Sequence, residues 1–156
     1  MTLLSALLDR TSAEMRKPGP AMRRTIATAH TAAYYAALKE RTGVLPKGLS
    51  KVERQELKAR VAEQLKYYDK FAEAAGDMSE AGVGARAQMY VGAIRATYGQ
   101  ARYPGLSQYP GDGSTQCLTN CKCDLDERDD GIHWVLNAGE SCDDCQAMAA
   151  GGPYER

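Results

Sequence analysis

All five cysteines of this 156-residue chain lie in the stretch "QCLTNCKCDLDERDDGIHWVLNAGESCDDCQ", at Cys117, Cys121, Cys123, Cys142 and Cys145. None occurs before Cys117. So dense a cluster constrains the fold more than any hydrophobic pattern. Gathered thiols ligate a metal, cross-link the chain or form a redox pair. A structural zinc site asks for four soft ligands at the corners of a tetrahedron, with Zn–S near 2.3 Å. Here Cys-x-Cys at 121/123 and Cys-x2-Cys at 142/145 are separated by residues 124–141, enough for one strand-turn-strand excursion. Such an excursion brings the two pairs together without a large core. Cys117 is then the extra thiol: a ligand in place of Cys123, a spare beside the site, or a small buried apolar residue.

Metal binding is the favoured reading, with disulfides as the main alternative. Five is an odd number. The opening "MTLLSALLDRTSAEMRK" has no basic segment ahead of its leucines, so no secretion signal is expected and the thiols should stay reduced. A thioredoxin-like redox pair is disfavoured because Asp143 and Asp144 inside the CxxC should repel a thiolate and raise its pKa. His133 is read as a surface or half-buried strand residue, with the role of substitute zinc ligand as the alternative. Trp134, the only tryptophan, is expected to cover the site or dock the tail on the rest of the chain.

Residues 1–103 read as helices. Leu4, Leu7, Leu8 and Met15 mark one over 3–16, ended by "KPGP". Met22, Ile26, Ala29 and Ala33 mark a second over 20–42, with Gly43 as its stop. A third opens at Ser50 with Glu53 completing a capping box; Leu57, Val61, Leu65, Tyr68 and Ala72 form its stripe and Gly76 closes it. The fourth spans about Ser79–Arg102, with Ala87, Val91, Ile94, Tyr98 and Ala101 facing inward. Its glycines at 82, 84, 92 and 99 each cost about 1 kcal/mol relative to alanine, for which close helix packing is the simplest reason. "GVGARA" satisfies the letters of a dinucleotide-binding loop but follows no strand, so that reading is rejected.

A Pro/Gly-rich linker spans 104–116, pinned to the bundle by Tyr103 and Tyr109. The module at 117–156 then changes period: Lys122–Asp126 forms one strand, Asp130–Gly131 a turn, Ile132–Leu136 a second strand, and a short helix starts at "CDDC". The predicted fold class is mainly α: a helical bundle or helical hairpins, followed by a small Cys-rich, zinc-ribbon-like β-hairpin.

Charge divides at the linker. Residues 1–105 carry 17 Lys and Arg against 10 Asp and Glu, a net +7, and residues 106–156 carry 3 against 10, a net −7. The basic half suits an acidic partner or nucleic acid, although a solvated helical surface explains it as well. Asp124, Asp126, Glu127, Asp129 and Asp130 read as a solvated hairpin tip, since the closing glutamate of an EF-hand is missing. No apolar run is long enough for a membrane span. With His30 and His133 as the only histidines, and no GxSxG, HExxH, P-loop or deaminase pattern, no enzyme is expected.

Two motifs also suggest a family. "TNCKC" resembles the "PNCRC" signature that ends the phage minor head (head morphogenesis) proteins of the Mu F type. "ESCDDCQAMAAG" resembles the other half of that signature, and "RAQMYVGAIRATYGQARYPGLSQYPGDGSTQC" resembles the run leading into it. The resemblance covers roughly residues 84–152 with the order swapped: here the CxxC follows, and the histidine and proline before NCRC are missing. It implies a helical region joined to a small Cys-rich module with structural Zn2+. It also implies a place in the virion, after assembly in the host cytoplasm. Portal or major capsid protein would be its partner, the chain would be oligomeric in the particle, and its basic helices would lie near packaged DNA. The alternative function is a small zinc-ribbon nucleic-acid-binding regulator, against which the −7 tail counts, since phosphate contact requires cations.

Overall fold

The computed structural model describes residues 19–137, 139 and 141–156. The helix expected over 3–16 lies outside the described residues. The described chain is mainly helical with one small sheet: α1 (Pro20–Thr42), α2 (Lys51–Ala74), α3 (Glu80–Arg102), β1 (Asp124–Arg128), β2 (Gly131–Val135) and α4 (Asp143–Gly151).

Local chemistry sets the helix ends. Pro20 opens α1, and Gly43 ends it in the left-handed region (φ 76°), its N–H donating to Lys39 O at 2.8 Å. The capping box of α2 is complete: Ser50 N–H donates to Glu53 Oε2 at 2.8 Å and Glu53 N–H to Ser50 Oγ at 3.2 Å. A 3-10 turn, Ala75–Asp77, follows α2, and Ser79 caps α3 by accepting from Gly82 N–H.

The core lies where α1 crosses α3 and α2 covers both. Met22, Ile26, Ala29 and Ala33 meet Tyr68, Phe71, Tyr90, Val91 and Ile94. Near the other end, Tyr34, Ala37 and Leu38 meet Leu57 and Ala101. Burying each large apolar side chain contributes about 1.5–3 kcal/mol. The predicted stripe of α2 needs one correction: Phe71 is almost fully buried, while Val61, Leu65 and Ala72 are half-buried. Phe71 lies one turn on from Tyr68, and the Tyr68, Phe71 and Tyr90 rings pack edge-on or tilted at 6.1–6.3 Å, which turns that face of the helix inward.

A buried polar pair sits in this core. Thr97 Oγ1 donates to Ala93 O, so its free lone pair receives the Nδ1–H of His30 at 2.7 Å. That leaves His30 Nε2 as an unprotonated acceptor with no partner. Burial, helped by the Arg60 charge, lowers the histidine pKa to about 4.

The C-terminal part packs along α3. The antiparallel hairpin pairs Leu125 with Trp134 and Asp126 with His133. Its turn is Asp129–Asp130, one residue before the predicted one, and Gly131 starts β2 instead. The reason is the end of the chain: Ile132 and Tyr154 exchange backbone hydrogen bonds at 3.0 and 2.8 Å, and a Cβ on Gly131 (φ 142°) would stand 2.6 Å from Tyr154 O. β1 likewise starts two residues late, because Cys121–Cys123 turn out of the ladder toward the other cysteines.

Close packing does explain two glycines of α3, but the neighbours are the 3-10 turn at 118–120 and the linker and not another α-helix. A Cβ on Gly92 would lie 1.7 Å from Thr119 O, and one on Gly99 would lie 3.2 Å from the Tyr109 ring. Tyr103, Tyr109 and Ile132 seal the same seam beside Ala96, with Tyr109 Oη donating to Tyr103 O and Leu106 O. Arg102 closes its end, reaching Glu40 on α1 at 3.0 Å and Glu127 on β1 at 3.3 Å.

Two outcomes follow for stability. Gly92→Ala should cost about 3 kcal/mol or more in urea unfolding, because the clash is with backbone. Gly84→Ala, which faces open space on the same helix, should stabilise by up to about 1 kcal/mol. As for pH, the folded pKa of His30 lies below its unfolded value of about 6.5. The unfolded chain therefore binds the extra proton, and stability falls as pH drops from about 6.5 to about 4, by up to about 3 kcal/mol. His30→Asn, which keeps a donor toward Thr97, should flatten that part of the urea-midpoint profile against pH.

Candidate metal centre

The five cysteines reach one place from three segments. Cys117 precedes a 3-10 turn, Leu118–Asn120, whose Leu118 holds a left-handed backbone (φ 51°). Cys121 and Cys123 immediately precede β1. Cys142 is the N-cap of α4, and Cys145 sits in that helix's first turn, facing inward with Met148 and Ala149 packed nearby. Asp143 and Asp144 favour the helix N-terminus, and Asp144 Oδ2 accepts from Gln116 N–H at 2.8 Å, tying α4 to the segment that carries Cys117.

The sulfurs form two overlapping triads. Cys121, Cys123 and Cys145 have all Sγ atoms within 4.8 Å of one another, and so do Cys117, Cys142 and Cys145. Cys121 and Cys145 stand 3.5 Å apart. All five are free thiols, and 3.5 Å is far from the roughly 2.05 Å of a disulfide. It is close to the edge of a zinc–sulfur tetrahedron, about 3.8 Å for a 2.3 Å bond. Cys121, Cys123 and Cys145 are buried, whereas Cys117 and Cys142 are half-buried. A 330 Å³ cleft lined by Asn120, Lys122, Asn137 and Ser141 opens onto Cys117 and Cys123.

The electrostatics fit a cation. Burial pushes the Cys121 and Cys145 thiols up, so both stay neutral unless a positive charge joins them. Cys142 departs from the sequence-based expectation. Its thiol falls to about 7, chiefly through the Cys117 side chain and also through Cys145. Asp144, turned toward Gln116, does not raise it. The donor set therefore suits a thiophilic metal ion, and the cluster could hold one.

His133 is not among these ligands. Its Nε2 meets Asp130 Oδ1 at 2.8 Å at the hairpin turn, and the acidic residues around it are exposed. Trp134 does cover the site: it is 4% exposed and packs with Cys121, Cys123 and Cys145. Sequence reasoning missed Ser141, whose Oγ lies 3.9 Å from Cys123 Sγ. It also missed Cys145 as the shared member, although the apolar 145/148/149 spacing marks the inward face of α4.

Comparison with protein-family models, with curated proteins and with solved structures finds no match to this chain. Among the described residues no helix is long and apolar enough to cross a membrane.

Because Trp134 is the only tryptophan, its fluorescence reports on this cluster alone. Stripping the purified protein with a strong chelator should shift its emission to the red, while the far-ultraviolet helical signal changes little. An unmoved emission maximum would show that the cluster holds its shape without metal.

Proposed function

We propose that this chain is a bacteriophage virion structural or assembly protein, a minor head or head-neck component whose C-terminal module is stapled by structural Zn2+. The observation that carries this reading is the convergence of all five sulfurs in the module whose two motif halves, "TNCKC" and "ESCDDCQAMAAG", resemble the minor head signature. A zinc site depends on convergence in space and not on the order of its pairs. The swapped order is thus compatible with the same staple.

The chemistry supports a structural role for the ion. Four thiolates close the coordination sphere, where a catalytic zinc keeps a position open for water. Apparent binding in small structural sites is on the order of 10–16 kcal/mol, ample for a tail with few apolar residues of its own. The helices supply the binding surface in this reading. Val44 and Leu45, in the connection between α1 and α2, are 69% and 58% exposed, and Val52 nearby is exposed as well. Apolar side chains grouped at one end of a bundle suit contact with portal or capsid protein. The acidity of the module disfavours the regulator alternative.

Quantitative mass spectrometry of purified particles, from a phage or induced lysogen encoding this chain, tests the proposal. The chain should be present at a fixed copy number. A number equal to the portal ring would place it at the neck, and one scaling with the shell would make it a decoration protein. Absence from both mature particles and assembly intermediates would refute the virion role.

A further inference from the structure

We infer that the ion is held by three fixed sulfurs, Cys121, Cys123 and Cys145, and by a fourth position that Cys117 and Cys142 fill in alternation. This rests on the metal reading above and assigns the ligands within it.

The geometry supplies the division. Both triads contain Cys145, but only one consists entirely of buried sulfurs. Cys121, Cys123 and Cys145 are 3%, 3% and 0% exposed and surround a common point beneath Trp134. Cys145 sits inside a helix, and Cys121 and Cys123 lead directly into a paired strand. Cys117 and Cys142 occupy the other side of Cys145, nearer solvent, on a turn and on a helix cap. Their sulfurs lie within 4.8 Å of each other. Each lies within 4.8 Å of Cys145 but neither is that close to all three buried sulfurs, so either one completes the fourth corner by swinging toward Cys121 and Cys123.

Two ions bridged by Cys145 are the competing arrangement. Each would have three sulfurs and would need a fourth ligand. Among the described residues no histidine or carboxylate joins either triad. One ion with four sulfurs leaves no such deficit and leaves one thiol over. The spare is then a resident competitor for the fourth position, half-exposed and beside the ion, and no redox step is needed for the exchange.

Substitution with Co2+ in the full-length chain, purified under reducing conditions, reads the result, because its visible spectrum distinguishes four sulfur ligands from three. Cys117→Ser and Cys142→Ser should each keep one Co2+ per chain and the four-sulfur spectrum. The double variant should lose that spectrum, as should Cys121→Ser, Cys123→Ser or Cys145→Ser alone. In the metal-loaded native chain, one equivalent of an alkylating reagent should divide between Cys117 and Cys142 in peptide mapping. Loss of the four-sulfur spectrum in only one of the two single variants would make that cysteine a fixed ligand and overturn the alternation. Two Co2+ per chain, or label on Cys121, Cys123 or Cys145, would also overturn it. A native chain that binds no Co2+ or Zn2+ would instead refute the metal reading itself. Far-ultraviolet circular dichroism of each variant separates ligand loss from loss of the helices.

Discussion

The sulfur of Cys145 is the point around which the C-terminal third of this protein is arranged. It is fully buried, it belongs to both sulfur triads, and it lies on the one helix of the module. The strand entry at Cys121–Cys123, the turn at Cys117 and the cap at Cys142 all close on it. Beyond it, the Gln116–Asp144 and Ile132–Tyr154 hydrogen bonds and a small apolar cluster hold these segments together. Leu125, Ile132, Trp134, Met148 and Tyr154 are the main large apolar side chains packed there, too few for an independent core. The two-stranded sheet would be marginal alone. A module of this size gains from a staple, and a metal ion bound by these sulfurs would turn the buried Cys121 and Cys145 thiols, held neutral by burial, into thiolates.

The second constraint is the seam between module and bundle, which depends on a missing side chain. Gly92 lets the Thr119 carbonyl approach α3 more closely than any Cβ permits, and Gly111 approaches the same point from the linker. The turn bearing Cys117 is therefore positioned by the helical bundle, while Cys121, Cys123 and Cys145 are positioned by the module's own elements. Any change in how the module seats on α3 acts on Cys117 first. Arg102 makes the coupling electrostatic as well, since it links α1 to β1 through Glu40 and Glu127.

Much of this was legible in the sequence because local chemistry decided it. Ser50 with Glu53, Gly43, and the 22/26/29/33 spacing need only near neighbours, and the structure bears them out. The hairpin was legible to within one or two residues. The slip at its turn came from Tyr154, more than twenty residues away, which claims Gly131 for a backbone contact no local pattern announces. Gly92 was read as a helix-packing residue because sequence shows that a glycine is small, not which segment needs the space. For the sulfurs, spacing identified the set of five. Only the backbone conformation shows that three are buried and two face outward around a shared member.

The division of charge bears on which surface can meet a partner. Four thiolates around a dication carry two net negative charges, so a loaded site deepens the −7 of the C-terminal segment and does not relieve it. Phosphate backbones meet cations, and this end of the molecule offers them few. The exposed carboxylates of β1 and the turn instead keep the hairpin solvated and guard a short edge strand against pairing with other chains. An acidic or nucleic-acid partner, if the proposed role holds, would meet the helical side, where the excess of Lys and Arg lies and where Val44, Leu45 and Val52 stand exposed.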